Sequence, residues 1–281
     1  MAADSTGDER RGEFLDELFG LSGEVAVVGG GTGVLGGVIA GCLGAAGAKV
    51  AVLGRNQEEG QRRVKVIAEA GGEAIFVPYV ATDAESVAEA HAQVRDAFGT
   101  VTVAVNAVGG NHPSAVVSAE QAFEDLTLDA VRNNLDLNLT SAWLACQEFG
   151  PAMLANGRGS VINIGSMAGG ERPLSRVPVY AIAKSGVATL TYFLAREWQG
   201  IVRVNMIVPG FFETTQNRSL LRNPDGSLSE RGEQIAAHTP MGRFGEPAEL
   251  GGAAVYLASN ASAFTTGLAF VVDGGFSVQS I

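Results

Sequence analysis

The sequence predicts an α/β fold: three layers, with a parallel seven-stranded sheet covered by helices on both faces. Two observations carry this. From residue 24 onward, short apolar runs rich in Val and Ile alternate with longer stretches of helical period. Strands that alternate with helices in this way are joined by right-handed crossovers, so they run parallel and bury both faces.

Taken in order, residues 1–12 are polar and charged and are expected to be disordered. Residues 14–19 are expected to form a short amphipathic turn. This makes 1–20 a flexible extension and 21–281 one domain. The first strand is 25–28, followed by a glycine-rich turn and a helix near 34–46. A second strand at 49–53 leads to a polar helix at 57–70. A third strand at 74–77 leads to a helix at 84–98. The fourth strand, 101–105, precedes a long helical region at about 118–155. The fifth strand is 160–164, and a helix after Pro178 follows it. The sixth strand is 203–208. A polar stretch punctuated by Gly and Pro, part of a substrate loop or lid at 211–245, separates it from a helix near 247–258. The last strand is 268–272.

Composition narrows the function classes. The chain has 281 residues, enough for one large α/β domain, and at 46% hydrophobic residues it is not a disordered polymer. A net charge of −11 argues against nucleic acid or an anionic membrane as partner, so any anionic ligand must be held by local groups. Cys42 and Cys146 sit in apolar helical patterns and read as reduced core residues of a cytoplasmic protein. The N-terminus has no signal-peptide pattern, and no apolar run reaches the ~18 residues of a membrane span. No His or Cys has a partner at metal-ligand spacing.

The turn after strand one reads Gly29-Gly30-Gly31-Thr32-Gly33-Val34-Leu35-Gly36. Glycines between a strand and a helix permit a tight turn and close backbone approach to a pyrophosphate, while the helix N-terminus offers N–H groups to the anion. This makes the sheet doubly wound and of Rossmann type. At the end of strand two, an NAD-selective site usually carries an acidic residue for the ribose 2′-hydroxyl. Here Gly54 and Arg55 stand there. An arginine pairs with a 2′-phosphate, which favours NADP(H), with NAD(H) the alternative. Arg55 equally reads as a solvated loop cation.

Tyr180 and Lys184 are four apart in the helix after strand five, so they share a face. An ammonium beside a phenol lowers the phenol pKa and prepares it to give or take a proton at a carbonyl or alcohol.

With both ends of this site in hand, residues 20–281 resemble the short-chain dehydrogenases/reductases. Five separated motifs carry the resemblance: the turn Gly30–Gly36; Asn106-Ala107-Val108-Gly109 after strand four; Asn138 in the central helix; Ser166 with Tyr180 and Lys184; and Pro209-Gly210 with Thr214 after strand six. Val272-Asp273-Gly274-Gly275 closes the chain. The resemblance implies catalytic roles for four residues. Ser166 binds the substrate oxygen and Tyr180 is the acid or base. Lys184 holds the nicotinamide ribose and tunes Tyr180, and Asn138 supports a proton relay. It further implies cofactor contacts at Gly30, Thr32, Gly33, Leu35, Gly36, Arg55, Ala81, Asn106, Tyr180, Lys184, Pro209, Gly210, Phe212 and Thr214, with Asn106 also bridging neighbouring strands. Relatives of this kind pair into dimers or tetramers through helices near 118–155 and 179–199. Apolar residues there equally suit an intramolecular core.

Several unusual strings resemble the subgroup described as D-mannonate oxidoreductase or fructuronate reductase. These are Gly109-Gly110-Asn111-His112-Pro113, the run Arg172 to Pro178, and the stretch after Pro209 with its counterpart at His238–Gly245. The small-molecule substrate implied is a sugar acid, for which Asn111, His112, Arg172 and Arg176 are candidate ligands, with Asn217, Arg218 and His238 beside them. Each of these also reads as an ordinary loop residue. Another carbonyl substrate (a β-ketoacyl thioester, a cyclic ketone, a steroid-like alcohol) stays open, as does a non-catalytic cofactor-binding scaffold. Three positions depart from the family pattern: Gly29 replaces the usual Thr, Val34 the middle glycine, and Val80 the acidic residue that binds the adenine amino group.

Overall fold

Parallel pairing fixes the centre of the structure, a computed structural model that describes residues 5–169, 176–215 and 217–278. Seven strands form one sheet: β1 (Val25–Gly29), β2 (Lys49–Gly54), β3 (Glu73–Pro78), β4 (Val103–Asn106), β5 (Gly159–Ile164), β6 (Val202–Pro209) and β7 (Ala269–Val272). Their order is β3-β2-β1-β4-β5-β6-β7 and every neighbouring pair is parallel. The winding therefore reverses between β1 and β4, where Gly29 stands beside both Leu53 and Asn106.

The helices are α1 (Ser5–Phe19), α2 (Val34–Ala45), α3 (Gln57–Glu69), α4 (Ala84–Phe98), α5 (Leu128–Leu135), α6 (Ser141–Ala155), α7 (Pro178–Glu197), α8 (Arg218–Leu221), α9 (Glu230–His238) and α10 (Gly251–Ala258). Side-chain alternation along the strands divides the core in two. Val25 and Val27 pack with Val87, Val94, Phe149, Met153, Val187 and Leu190, the α4–α6–α7 layer. Ala26 and Val28 pack with Ile39, Leu43, Ile67, Ala254 and Leu257, the α2–α3–α10 layer. The three-layer α/β/α fold is the one the sequence predicts. No helix among the described residues is long and apolar enough to cross a membrane.

Three boundaries differ from the sequence reading. Residues 5–19 form a helix, not a disordered tail with a short turn at 14–19. The stretch contains no proline and holds good helix formers in Glu13, Leu15, Glu17 and Leu18. It stops at Gly20, whose N–H bonds Asp16 O and whose missing Cβ would collide with that oxygen. Asn260 Nδ2 donates to Glu17 O at 3.3 Å and ties this helix to the domain. The long helix expected from 118 begins at Leu128, because Thr127 caps it by accepting from Ala130 N at 3.2 Å. It is also interrupted: Asp136–Thr140 is a π-helical turn between α5 and α6. The stretch after β6 holds α8 and α9, the latter capped by Ser229.

Candidate active site

Since every strand points the same way, all seven C-terminal ends lie on one edge, and the sequence-predicted residues follow those ends. A cleft of about 240 Å³ opens at the β1/β4 reversal. It is lined by Gly30, Thr32 and Gly33 after β1, Gly54 and Arg55 after β2, Tyr79 to Thr82 after β3, Ala107 to Gly109 after β4, and Leu137.

The glycine turn is held against the sheet. Gly30 has φ +76°, and a Cβ there would lie 2.8 Å from Ala107 O. Gly36 packs the first turn of α2 against Gly30, and Leu35 is half-buried beside it. Gly33 is the N-cap of α2 and no side chain caps that helix. Its first N–H groups are thus left for an anion, which is what a dinucleotide pyrophosphate requires. The turn, the uncapped helix and the cleft fit such a cofactor. Arg55 is exposed at the mouth.

Asn106 and Phe212 are placed differently from the cofactor contacts expected of them. The Asn106 side chain is buried and donates to Asn163 Oδ1 at 2.8 Å, bridging β4 to β5, and Asn163 in turn donates to Thr191 Oγ1 on α7. The expected bridging role is present, while the amide faces the core. The Phe212 ring is buried against Gly245, so it holds the 211–245 segment to the sheet. Gly210 N donates to Val272 O, and a Cβ on Gly210 would lie 2.6 Å from Asp273 Cα, so the turns after β6 and β7 touch. Thr214, half-buried after Pro209 and Gly210, donates its N–H to Asn217 Oδ1. Val80 is exposed and hydrocarbon, and the nearby Asp83 caps α4, its Oδ1 accepting from Glu85 N and Ser86 N.

The proposed catalytic side chains gather behind Gly109, which lines the cleft. Asn138 is buried in the π-helical turn. Its Nδ2 donates to Gly110 O and Asn134 O, and its Oδ1 accepts from Gly110 N. Asn134, one turn earlier and also buried, donates to Asn111 Oδ1. Sequence reasoning missed Asn134, although its i−4 spacing from Asn138 puts both amides on one helix face. Lys184 Nζ is buried and donates to Ile164 O at 2.8 Å. A Cβ on Gly109 would meet Asn138 Oδ1 at 2.7 Å and Lys184 Nζ at 3.1 Å, so only glycine leaves room for both groups. Ser166 Oγ accepts from Ala168 N, which orients it after β5.

The tuning of Tyr180 differs from the expectation. Burial raises the pKa of the phenol, and a hydrogen bond with Ser166 only partly opposes it. The Lys184 Nζ lies over the ring, 5.6 Å from the centroid, and the same burial disfavours its charged form. Burial pushes the Lys184 pKa down to about 8.

Of the substrate candidates, Arg172 lies outside the described residues. Asn111 is held by Asn134. His112 Nδ1 bonds Ser114 Oγ at 2.7 Å and caps a short 3-10 turn. Arg176 is exposed with φ +73°, and its carbonyl accepts from Val117 N. Asn217 braces its own loop through Phe212 O, Arg218 pairs with Glu213, and the His238 ring packs on Phe276 at 4.5 Å. No group of three or more His, Cys, Asp or Glu among the described residues is arranged to hold a metal.

The family model described as enoyl-(acyl carrier protein) reductase matches residues 33–277. An uncharacterised oxidoreductase of Bacillus subtilis strain 168, UxuB, is 39% identical over 270 residues, covering 92% of this chain and 97% of that one. A Haemophilus influenza protein provisionally described as a D-mannonate oxidoreductase, solved with bound NAD, superposes with a TM-score of 0.87 at 33% identity, covering 93% of this chain and 97% of that one. A gluconate 5-dehydrogenase from Burkholderia cenocepacia J2315, solved with NADP and tartrate, gives 0.84 at 28% identity, covering 94% and 99%.

The buried lysine makes stability depend on pH. Unfolded, Lys184 keeps its proton to about pH 10.4, whereas folded it loses it near 8. Between these values the unfolded chain binds more protons, so stability rises with pH; below pH 8 the whole penalty, about 3 kcal/mol, is present. Urea denaturation of the cofactor-free protein should show the wild type gaining that amount relative to Lys184→Met from pH 8 to 10.5. A constant difference over this range would mean the ammonium is not desolvated.

Proposed function

The chain belongs to the short-chain dehydrogenase/reductase family, and from that premise we propose an NADP(H)-preferring oxidoreductase that interconverts a ketone and a secondary alcohol of a sugar acid, of the mannonate or fructuronate kind. As a member of this family it is an enzyme acting on CH–OH groups with a nicotinamide cofactor.

The observation that carries the reading is the grouping of Ser166, Tyr180, Lys184 and Asn138 behind Gly109, which lines a cleft that fits a dinucleotide. The bound nicotinamide supplies or accepts the hydride. Ser166 and Tyr180 donate hydrogen bonds to the substrate oxygen, where negative charge develops in reduction. Burial keeps Tyr180 protonated at neutral pH, the form that delivers a proton to that oxygen. Lys184 holds the ribose and supplies positive charge beside the phenol. Asn138, fixed by Gly110 and Asn134, holds the path from Lys184 towards Asn111 and solvent. A scaffold that only bound cofactor would gain nothing from a desolvated lysine under this tyrosine.

Three observations support the substrate and cofactor class. Two similar structures are described as acting on sugar acids. The Asn111, His112 and Arg176 loops stand at the same sheet edge, with Arg176 the candidate cation for a carboxylate. Gly54 and Arg55 leave the end of β2 without a carboxylate and with a guanidinium. We also place a dimer contact on α6 and α7, where Trp143, Ile182, Tyr192 and Phe193 are exposed on the described surface.

Tyr180→Phe should lower kcat by about 10²–10⁴-fold with cofactor affinity kept, read by steady-state assay with fructuronate or mannonate beside cofactor titration. Unchanged turnover would remove Tyr180 from its role. In fluorescence titrations NADPH should bind more tightly than NADH, and Arg55→Ala should weaken NADPH about tenfold with little effect on NADH. Light scattering should give a mass of at least two chains; a monomer would exclude the α6–α7 contact.

A further inference from the structure

Position 54 is where an acidic side chain would select the ribose 2′-hydroxyl, and the structure gives a reason why it is bare. A Cβ on Gly54 would lie 2.5 Å from Thr32 Oγ1, 2.6 Å from Thr32 Cγ2 and 3.1 Å from Thr32 Cβ. Neither backbone has room to withdraw. Gly54 O accepts from Tyr79 N at 3.0 Å, which pins the end of β2 to the start of the β3 loop. On the other side, Gly31 N sits 3.1 Å from both Leu53 O and Val28 O, and Gly33 N donates to Gly30 O at 2.9 Å, so the turn carrying Thr32 is pinned to β2 as well.

Rotation does not clear the collision. Threonine carries two heavy branches on Cβ, and both now face residue 54. Each of the other staggered rotamers moves one branch away and leaves the other in place.

We propose that Thr32 is a specificity-determining residue that acts on the cofactor through position 54. By filling the space of the missing side chain it keeps a carboxylate from the end of β2, so that an anionic 2′-phosphate meets only Arg55 there. Positions 32 and 54 are therefore coupled: a side chain at 54 is tolerated only if residue 32 loses its branch. The proposal rests on reading the cleft as a dinucleotide site, and it adds Thr32 to a selectivity assigned above to Gly54 and Arg55.

The test is a double-mutant cycle on the full chain, with Gly54→Ala and Gly54→Asp each made alone and together with Thr32→Gly. Melting temperature and the Kd of NADPH and NADH, from protein-to-nicotinamide fluorescence transfer, are the readouts. Gly54→Ala, which adds only the Cβ, should lower the melting temperature, and Thr32→Gly should cancel at least half of that loss. Gly54→Asp alone should weaken both nucleotides about tenfold or more, as a displaced Thr32 distorts the turn. The pair Thr32→Gly with Gly54→Asp should bind NADH about tenfold more tightly than Gly54→Asp alone and should keep NADPH weak. Additive effects, or full NADH affinity with Gly54→Asp alone, would overturn the coupling. If the wild type instead preferred NADH, the NADP reading would fail, yet the melting temperatures would still decide the coupling; binding of neither nucleotide would end the cofactor reading and leave that thermal test in force.

Discussion

The constraint on which the molecule depends is the reversal of winding between β1 and β4 in an all-parallel sheet. Parallel strands deliver all their C-terminal loops to one edge, and the reversal parts the flanking crossovers so that the edge has a crevice. The glycine turn, the Arg55 loop, the Gly109 loop and the segments after β5 and β6 meet there because the strand order leaves them nowhere else to go. The polar bridge from Asn106 through Asn163 to Thr191 lies just beneath the crevice. Hydrogen bonds within a buried chain of that kind fix the spacing of β4, β5 and α7, the elements that carry Gly109, Ser166 and Tyr180.

The inner site is assembled at a cost in stability. An ammonium with one carbonyl acceptor and little water is an unfavourable thing to fold around, and the π-helical turn at Asp136–Thr140 departs from regular helix. Both departures fall where Asn138 and Lys184 press against the bare α-carbon of Gly109. Local rules are broken at the place where chemistry is proposed and kept in the apolar layers on either side of the sheet.

Much of this was legible in the sequence. The alternation of apolar runs with helical stretches predicted seven strands and both helical layers, because that pattern is a direct imprint of burial on two faces. The glycine turn was legible since few other settings require so many glycines between strand and helix. The N-terminal helix was not, since its polar first turns mimic a disordered tail until Gly20 and Asn260 show how it is anchored. The start of α5 at Leu128 hinged on one capping threonine in a polar stretch with several candidates. The phenol pKa was misjudged because a four-residue spacing reports proximity and not the water lost by both groups. Asn134 and the packing of Thr32 on Gly54 depend on rotamers and on backbones brought together from 22 residues apart in the chain, which no local pattern records.

One feature of the outer cleft bears on what the protein can tell apart. Where the base of a dinucleotide would lie, the wall offers Tyr79, the exposed hydrocarbon of Val80, and Ala81, while Asp83 caps the first turn of α4 with its Oδ1. Such a wall senses a flat ring by area of contact. It has no carboxylate with which to read the amino group that distinguishes one purine from another. For a dinucleotide bound as proposed, recognition would fall to the phosphates and sugars, and the base would serve as a handle.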